Sequence, residues 1–342
     1  MFGRRWEPPP GLRRVERARD LPTAWDDMAG TFFRSRAFLQ HCERYNPCGQ
    51  RYWLWEPDGR LTASTIAYDL TLDLLTYRGM KSPLRMTVLG VPCSVAWPGL
   101  MGDRTAWPTM LPRILERERG LVLGLNTTAP ITMPSLVQGD TLPTLVLEHR
   151  FESWEVYTAA LRSDYRRRHG RIAAEFEGVD IEVGPCDRLG EDAYRLYVGA
   201  FERSDAKLEK LSWDFLRELP PPLRLTRFHN HGRLLGWHVT AVEPERTTFF
   251  MGGVDQALNE GFRTYFNLLF HVVRMGIEAG TPIIDLGQTA EVPKLRSGGR
   301  TRQRMMFAWH RRGLARKLLR HAAPWLVYDA SFDRPRVFKV PQ

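Results

Sequence analysis

Phe250-Met251-Gly252-Gly253-Val254-Asp255, then Tyr265-Phe266-Asn267, Glu278-Ala279-Gly280 and Ile284-Asp285-Leu286-Gly287-Gln288, with Lys294 and Gly298 beyond, is the stretch on which the fold turns. Residues 247–252 read as a strand, rich in Thr and Phe. Residues 262–279 set Phe262, Phe266, Leu269, Val273 and Ile277 along one helical face, and Gly280 stops the helix. Residues 283–286 are a short apolar strand with a carboxylate, Asp285, near its end. A strand, a helix with a buried face and a second buried strand in succession predict an α/β unit.

Working upstream, residues 223–229 and 234–241 alternate as strands around a His231-Gly232-Arg233 turn, with a helix over 191–201 and a strand over 180–183 before them. Residues 151–177 read as one helix through Phe151, Trp154, Tyr157, Leu161, Tyr165, Ile172 and Phe176, and it also carries Arg162, Arg166, Arg167, Arg168 and Arg171. Residues 304–310 form a further strand and 314–326 a basic amphipathic helix. Before residue 150 the pattern is looser. A helix over 24–45 precedes strands over 51–56, 62–69 and 72–78, a helix over 109–119 and strands over 121–125 and 145–148. The expected organisation is an N-terminal arm (1–20), a first domain (21–150), a second (151–326) and a tail (327–342), with a mixed, mostly antiparallel sheet flanked by helices in each domain.

The order of elements over 151–326 is that of a GNAT-type acyltransferase. The quoted stretch resembles the C-terminal half of the FemAB-like and BioF2-like acyltransferase superfamily, in which an aromatic–Gly strand end, a helix, a strand ending in Asp-aliphatic-Gly and a Lys before a Gly follow in that order. The arginine-bearing helix at 151–177 is similar to the interdomain helix of that superfamily. The resemblance covers roughly residues 150–310 by motif and 21–150 by element order alone. It implies a tandem pair of GNAT-like domains (α/β, or α+β) joining an activated acyl or aminoacyl group to an amine in a cleft between them. The donor it implies is aminoacyl-tRNA, with acyl-CoA as the alternative, and no tightly bound cofactor. One departure is plain. Where ordinary GNAT enzymes have a glycine-patterned pyrophosphate loop, residues 257–264 keep Gly261 alone.

Within that frame Lys294 matches the superfamily's lysine and is the candidate to steady an oxyanion or a terminal phosphate. Asp285, a carboxylate at the end of an apolar strand, is a candidate acceptor of the amine proton, or a partner for a nearby arginine. Gln288 is a candidate for the substrate amide and His238 for a general base facing the cleft. Arg263, Tyr265 and Asn267 open the central helix, where anions are favoured, and are candidates for substrate binding.

Composition sets the outer limits. The chain has 342 residues, 43% of them hydrophobic and 26% charged, which excludes wholesale disorder. Its formal charge of +10 sits in residues 292–328, which hold ten Lys/Arg and no Asp or Glu. Arg296, Arg300, Arg302, Arg304, Arg311, Arg312, Arg316 and Lys317, joined by Arg167 and Arg168, are therefore the expected contacts to RNA phosphate, and tRNA is the partner that the resemblance implies. An acidic carrier protein would suit the same charge, and an anionic lipid surface would suit residues 314–326. Residues 120–139 are uncharged but broken by Pro130 and Pro134, so no integral membrane association is expected. Cys42, Cys48, Cys93 and Cys186 form no C-x-x-C pair, so neither a zinc site nor a disulfide scaffold is expected, and the setting reads as cytoplasmic. The acceptor that the resemblance implies is an amine on a small biosynthetic intermediate or a peptidoglycan precursor. The competing function classes are an acyl-CoA or carrier-protein-dependent N-acyltransferase and a catalytically inactive RNA- or membrane-binding GNAT-like module.

Overall fold

The computed structural model describes residues 11–73, 83–93, 95–204, 207–328 and 333–340. They form two compact units: one runs to Thr141 and takes back Arg304–Tyr328, and the other comprises Leu142–Gln303 with the described part of Asp329–Gln342. The expected boundary at residue 150 gives way to one inside a long strand. Residues 304–328 leave the second domain for the first, because Phe307 and Trp309 complete the first unit's core.

In the first unit the strands are β1 (Leu12–Val15), β2 (Arg51–Trp55), β3 (Ala63–Asp73), β4 (Pro83–Leu89), β5 (Leu100–Gly102) and β6 (Leu121–Thr127). β7 (Val137–Glu148) begins here. The sheet order is β1-β2-β3-β4-β6, closed by the 304–310 part of β13 (Arg300–His310), with β5 on β3. β1 pairs antiparallel with β2, so residues 12–15 belong to the sheet rather than to a loose arm, whose first ten residues lie outside the described ones. The expected strand at 72–78 also falls largely outside them, and β3 runs unbroken through 72 and 73. The helix expected over 24–45 is broken into α1 (Ala24–Ala29) and α2 (Arg36–Tyr45). Gly30, at φ 62°, ends α1 in the left-handed conformation, and Ser35 restarts the chain by capping the Phe38 amide. The helix α3 (Trp107–Leu115) crosses over between the parallel strands β4 and β6 and buries Met110, Leu111, Ile114 and Leu115.

The second unit contains α4 (Trp154–Ala160), α5 (Ser163–Ala174), β8 (Asp180–Gly184), α6 (Glu191–Arg203), α7 (Trp213–Arg217), β9 (Leu223–Asn230), β10 (Arg233–Glu243) and β11 (Arg246–Val254). It continues with α8 (Gln256–Phe262), α9 (Thr264–Glu278), β12 (Ile283–Asp285) and α10 (Glu291–Arg296). Its sheet order is β7-β12-β11-β10-β9-β8, antiparallel throughout except that β11 and β12 run parallel. His231 and Gly232, both at positive φ, make the two-residue turn whose twist suits the β9–β10 hairpin. The helix expected over 151–177 is two helices, because Leu161 and Arg162 are extended and pair with the C-terminal segment, Arg162 N–H donating to Val337 O at 2.9 Å. That contact is non-local, and nothing in the 3.6-residue periodicity announces it.

Gly298 shows how tightly this end is built. Its φ is 90°, and a β-carbon there would come within 2.5 Å of the Phe338 ring. Gly298→Ala is expected to lower stability by about 2–4 kcal/mol, from backbone strain and overpacking together. Thermal unfolding of the variant checks this, and an unchanged melting temperature would contradict the packing described.

Candidate active site

The site lies where β11 and β12 part. Their parallel register runs Arg246↔Ile283, Thr247↔Ile284 and Thr248↔Asp285 and then stops, while β11 continues to Val254. Two local features open the wedge. Phe250 is an extra residue in β11, since Val239 pairs with Met251 and Thr240 with Phe249. After Asp285 the chain turns away to β7, with Leu286 N–H donating to Leu145 O at 2.8 Å. Behind the wedge α9 presses close: a β-carbon on Gly276 would lie 2.5 Å from Ile284.

Lys294 occupies this wedge. It sits on α10, a helix the sequence did not announce, and is 2% exposed. Its Nζ donates to the Gln288 carbonyl at 2.6 Å and lies 5.8 Å from the centre of the Phe249 ring. The loop that presents this carbonyl is conformationally unusual. Gly287, Thr289 and Ala290 all have positive φ, at 75°, 60° and 48°. Two of these are not glycine, and each such residue stores on the order of 1 kcal/mol that the surroundings must hold. Burial pushes the ammonium of Lys294 down to about 7, against the opposing pull of Asp285 and Glu291. A lysine in this state is at the threshold between cation and neutral amine near physiological pH.

Asp285 is buried too, but its carboxylate is engaged. It accepts from Arg246 Nη1 at 3.1 Å and from the Gly287 amide at 2.9 Å. The expected partnership with an arginine is the one found, and the carboxylate shapes the loop and the field at Lys294. Gln288 turns its side-chain amide to the Leu142 carbonyl at 2.5 Å, while its own carbonyl takes the Lys294 proton.

His238 does not face a cleft. It is 0% exposed in the core, with Nε2 3.0 Å from His271 Nδ1 and Nδ1 2.7 Å from Thr240 Oγ1. Burial, and then its neighbour His271, holds it well below the ordinary histidine range, and burial pushes His271 down to about 4. Both rings are neutral packing elements of the sheet–helix core near neutral pH. Asn267 likewise is structural. Its amide donates to the Ile172 and Phe262 carbonyls at 3.0 and 3.1 Å, tying α5 to the start of α9.

The start of α9 gathers guanidinium groups. Arg263, left-handed at φ 47°, joins α8 to α9 and pairs with Glu175 at 3.1 Å. Arg168 lies 5.2 Å from the centre of the Phe266 ring. Burial lowers its basicity, and the charges of Arg296, Arg171 and Arg263 lower it further, so these four cations share one neighbourhood. Arg167 points outward to Asp164. Tyr265 contributes its amide, which donates to Asn259 Oδ1 at 2.9 Å, and its phenol is raised by burial. A second cationic feature adjoins α10. Leu295 and Gly298 line a cavity of about 700 Å³ whose wall includes Arg300, Arg302, Arg334 and Arg336. Arg302 is ion-paired to Glu148.

The basic run 292–328 is therefore two groups. Lys294, Arg296, Arg300 and Arg302 belong to the second unit, and Arg304, Arg311, Arg312, Arg316 and Lys317 to the first. Arg316 stacks over Trp309 and donates to the His310 carbonyl. Sequence reasoning missed Arg246, Phe249 and Glu291. Arg246 follows an acidic Glu243-Pro244-Glu245 turn and reads as a solvated loop charge, and only the β11–β12 register brings it to Asp285.

Residues 159–294 match the acetyltransferase (GNAT) domain family. No curated protein matches the chain. Among solved structures, FemX is similar at 9% identity, over 79% of this chain and 90% of its own, with a TM-score of 0.50. L-PGS from Bacillus licheniformis is similar at 10% identity over 84% and 94%, with a TM-score of 0.48. A GCN5-related N-acetyltransferase from Sphaerobacter thermophilus is similar at 13% over 87% and 95%, with a TM-score of 0.41. At 9% identity the likeness to FemX is one of fold alone.

Proposed function

We propose that this acyltransferase of GNAT, FemAB-like fold moves an aminoacyl group from aminoacyl-tRNA to the amine of a small biosynthetic intermediate or peptidoglycan precursor. The observation that carries the reading is Lys294, a buried ammonium in the β11–β12 wedge, with arginines gathered at the head of α9. The amine nitrogen attacks the ester carbon, and the oxyanion that forms takes a hydrogen bond from Lys294 Nζ in place of the Gln288 carbonyl. The intermediate collapses by expelling the terminal ribose oxygen, which takes up the proton lost by the amine and leaves as the hydroxyl. An amide and deacylated tRNA leave. Arg168, Arg171, Arg263 and Arg296 hold the phosphates nearest the ester, and Arg300, Arg334 and Arg336 hold the backbone beyond. Asp285 and Arg246 keep the loop and Lys294 in place.

The acyl-CoA alternative is disfavoured by the same region. The loop that cradles pyrophosphate in ordinary GNAT enzymes is here the helix α8, and the Tyr265 amide at the start of α9 is already taken by Asn259.

Turnover is therefore expected with a synthetase, ATP, amino acid and tRNA, and ribonuclease is expected to abolish it. Release of free thiol from acyl-CoA in the absence of RNA would overturn the reading. Arg168→Ala is expected to raise KM for the charged tRNA about 10-fold or more with kcat little changed. Equal KM in wild type and variant would remove Arg168 from the donor site.

A further inference from the structure

The helix α11 (Gly313–Leu326) in the first unit presents an apolar stripe to solvent. Leu314 is 73% exposed, Leu318 64% and Trp325 61%. At about 100° per residue these three fall within an arc of about 40° on the helix surface. Leu326 is buried on a different face. Beside the stripe the exposed positions are His321 and Lys317, while Arg320 lies about 140° round the helix from its centre, and Arg311 and Arg312 stand just before the first turn. Acidic side chains are absent from residues 292–328. The helix also has a firm seat. Arg320 donates to the Pro134 carbonyl at 3.2 Å, and Tyr328 N–H donates to Asp140 O at 3.0 Å.

Exposed leucines on a well-anchored helix are unfavourable in water and need a covering. Three properties identify it. The charge flanking the stripe is uniformly positive, so its complement is anionic. The stripe is narrow and convex, about one helix wide and about 17 Å long, so it suits a yielding surface rather than a matching groove. Trp325 at its end is the residue type that rests at the boundary between headgroups and acyl chains. A second copy of the chain would bring like charges together over a contact well short of the roughly 1,200 Å² of a stable dimer. RNA would engage Lys317 and Arg320 but leave the leucines uncovered.

We propose that α11 lies in the headgroup region of an anionic lipid bilayer, with Leu314, Leu318 and Trp325 turned into the acyl boundary and Lys317, with Arg311 and Arg312 before the helix, on lipid phosphates. This docking is peripheral. Among the described residues no helix is long and apolar enough to cross a membrane. The surface belongs to the first unit and does not depend on the donor assignment made for the second.

The test is co-flotation of the full chain with vesicles of phosphatidylcholine alone and of phosphatidylcholine mixed with phosphatidylglycerol. Binding is expected to the mixed vesicles and to be at least about 10-fold weaker to the neutral ones. Leu314→Ser/Leu318→Ser is expected to lower the partition coefficient on mixed vesicles at least about 10-fold. Lys317→Glu/Arg312→Glu is expected to do the same, with a weaker salt dependence. The substituted positions are exposed, so circular dichroism and thermal unfolding are expected to find the fold unchanged. Equal flotation of wild type and the leucine variant would overturn the proposal. So would a leucine variant that floats normally but shifts from dimer to monomer in light scattering, or one for which free tRNA, rather than vesicles, is the only ligand lost.

Discussion

Lys294→Met is expected to lower kcat/KM by about 10²–10³-fold while making the protein more stable at pH 6. The first effect is the one that the proposed mechanism requires, the loss of the donor to the developing oxyanion. The second follows from burial. In the folded chain the Lys294 ammonium is pushed from the ordinary 10.5 down to about 7. Below about pH 7 native and unfolded chains both carry the proton, and the native state bears the whole penalty of a buried charge. As pH rises from 7 towards 10.5 the native lysine is already neutral while the unfolded one still holds its proton, so the penalty fades and native stability gains. Methionine fills similar space without charge. Asp285 is not orphaned by the change, because Arg246 and the Gly287 amide still hold it. The melting temperature of the variant is expected to exceed that of the wild type at pH 6 by more than it does at pH 9, where part of the penalty remains until the unfolded lysine also loses its proton. Calorimetry at the two pH values measures this, and steady-state kinetics on the charged donor measures the first effect. Undiminished turnover would end the catalytic assignment of Lys294. A stability difference independent of pH would show that its ammonium is not under strain.

The second large effect belongs to the first unit. Arg51, itself buried, donates to both carboxylate oxygens of Glu118, at 3.0 Å from Nε to Oε1 and 2.5 Å from Nη2 to Oε2, and to Asp69 at 3.0 Å. Trp53 Nε1 donates to the same Glu118 at 2.7 Å. The group joins β2, β3 and the turn after α3, and Glu118 is almost fully buried. Glu118→Ala leaves the guanidinium with Asp69 as its remaining carboxylate and strands the indole N–H. A loss of about 3–5 kcal/mol is expected, which lowers the melting temperature by roughly 10 °C. The double replacement Arg51→Met/Glu118→Leu removes both charges and is expected to recover most of that loss. Thermal unfolding of both variants checks the pair. A single variant as stable as wild type would mean that water already satisfies the cluster.

These two sites differ in how far the chain announces them. Lys294 was visible as a lysine after an Asp-Leu-Gly strand end, and its position in the motif order was enough to single it out. Its burial was not visible, because a six-residue helix with two cations reads as surface. The Arg51–Glu118 pair was invisible. The partners are 67 residues apart, and each taken alone looks solvated. The expectation for His238 failed in the opposite sense. Strand alternation located it, but which face of β10 carries the core depends on α9 packing there, and that face put His238 against His271.

Short-range physics sufficed where each residue's neighbours along the chain settle its conformation. The apolar stripe of α9 and its stop at Gly280, the His231-Gly232 turn and the alternation of the β9–β11 run are of this kind, and together they fix the α/β class and the GNAT order of the second unit. Tertiary structure alone decided the rest. It broke the 151–177 helix by pairing Leu161 with Phe338, moved residues 304–328 into the first unit and divided the basic run between two bodies. The reason is that these outcomes depend on pairings between distant segments. The free energy of such a pairing is set by what the partner buries, a quantity that no local periodicity or charge count contains.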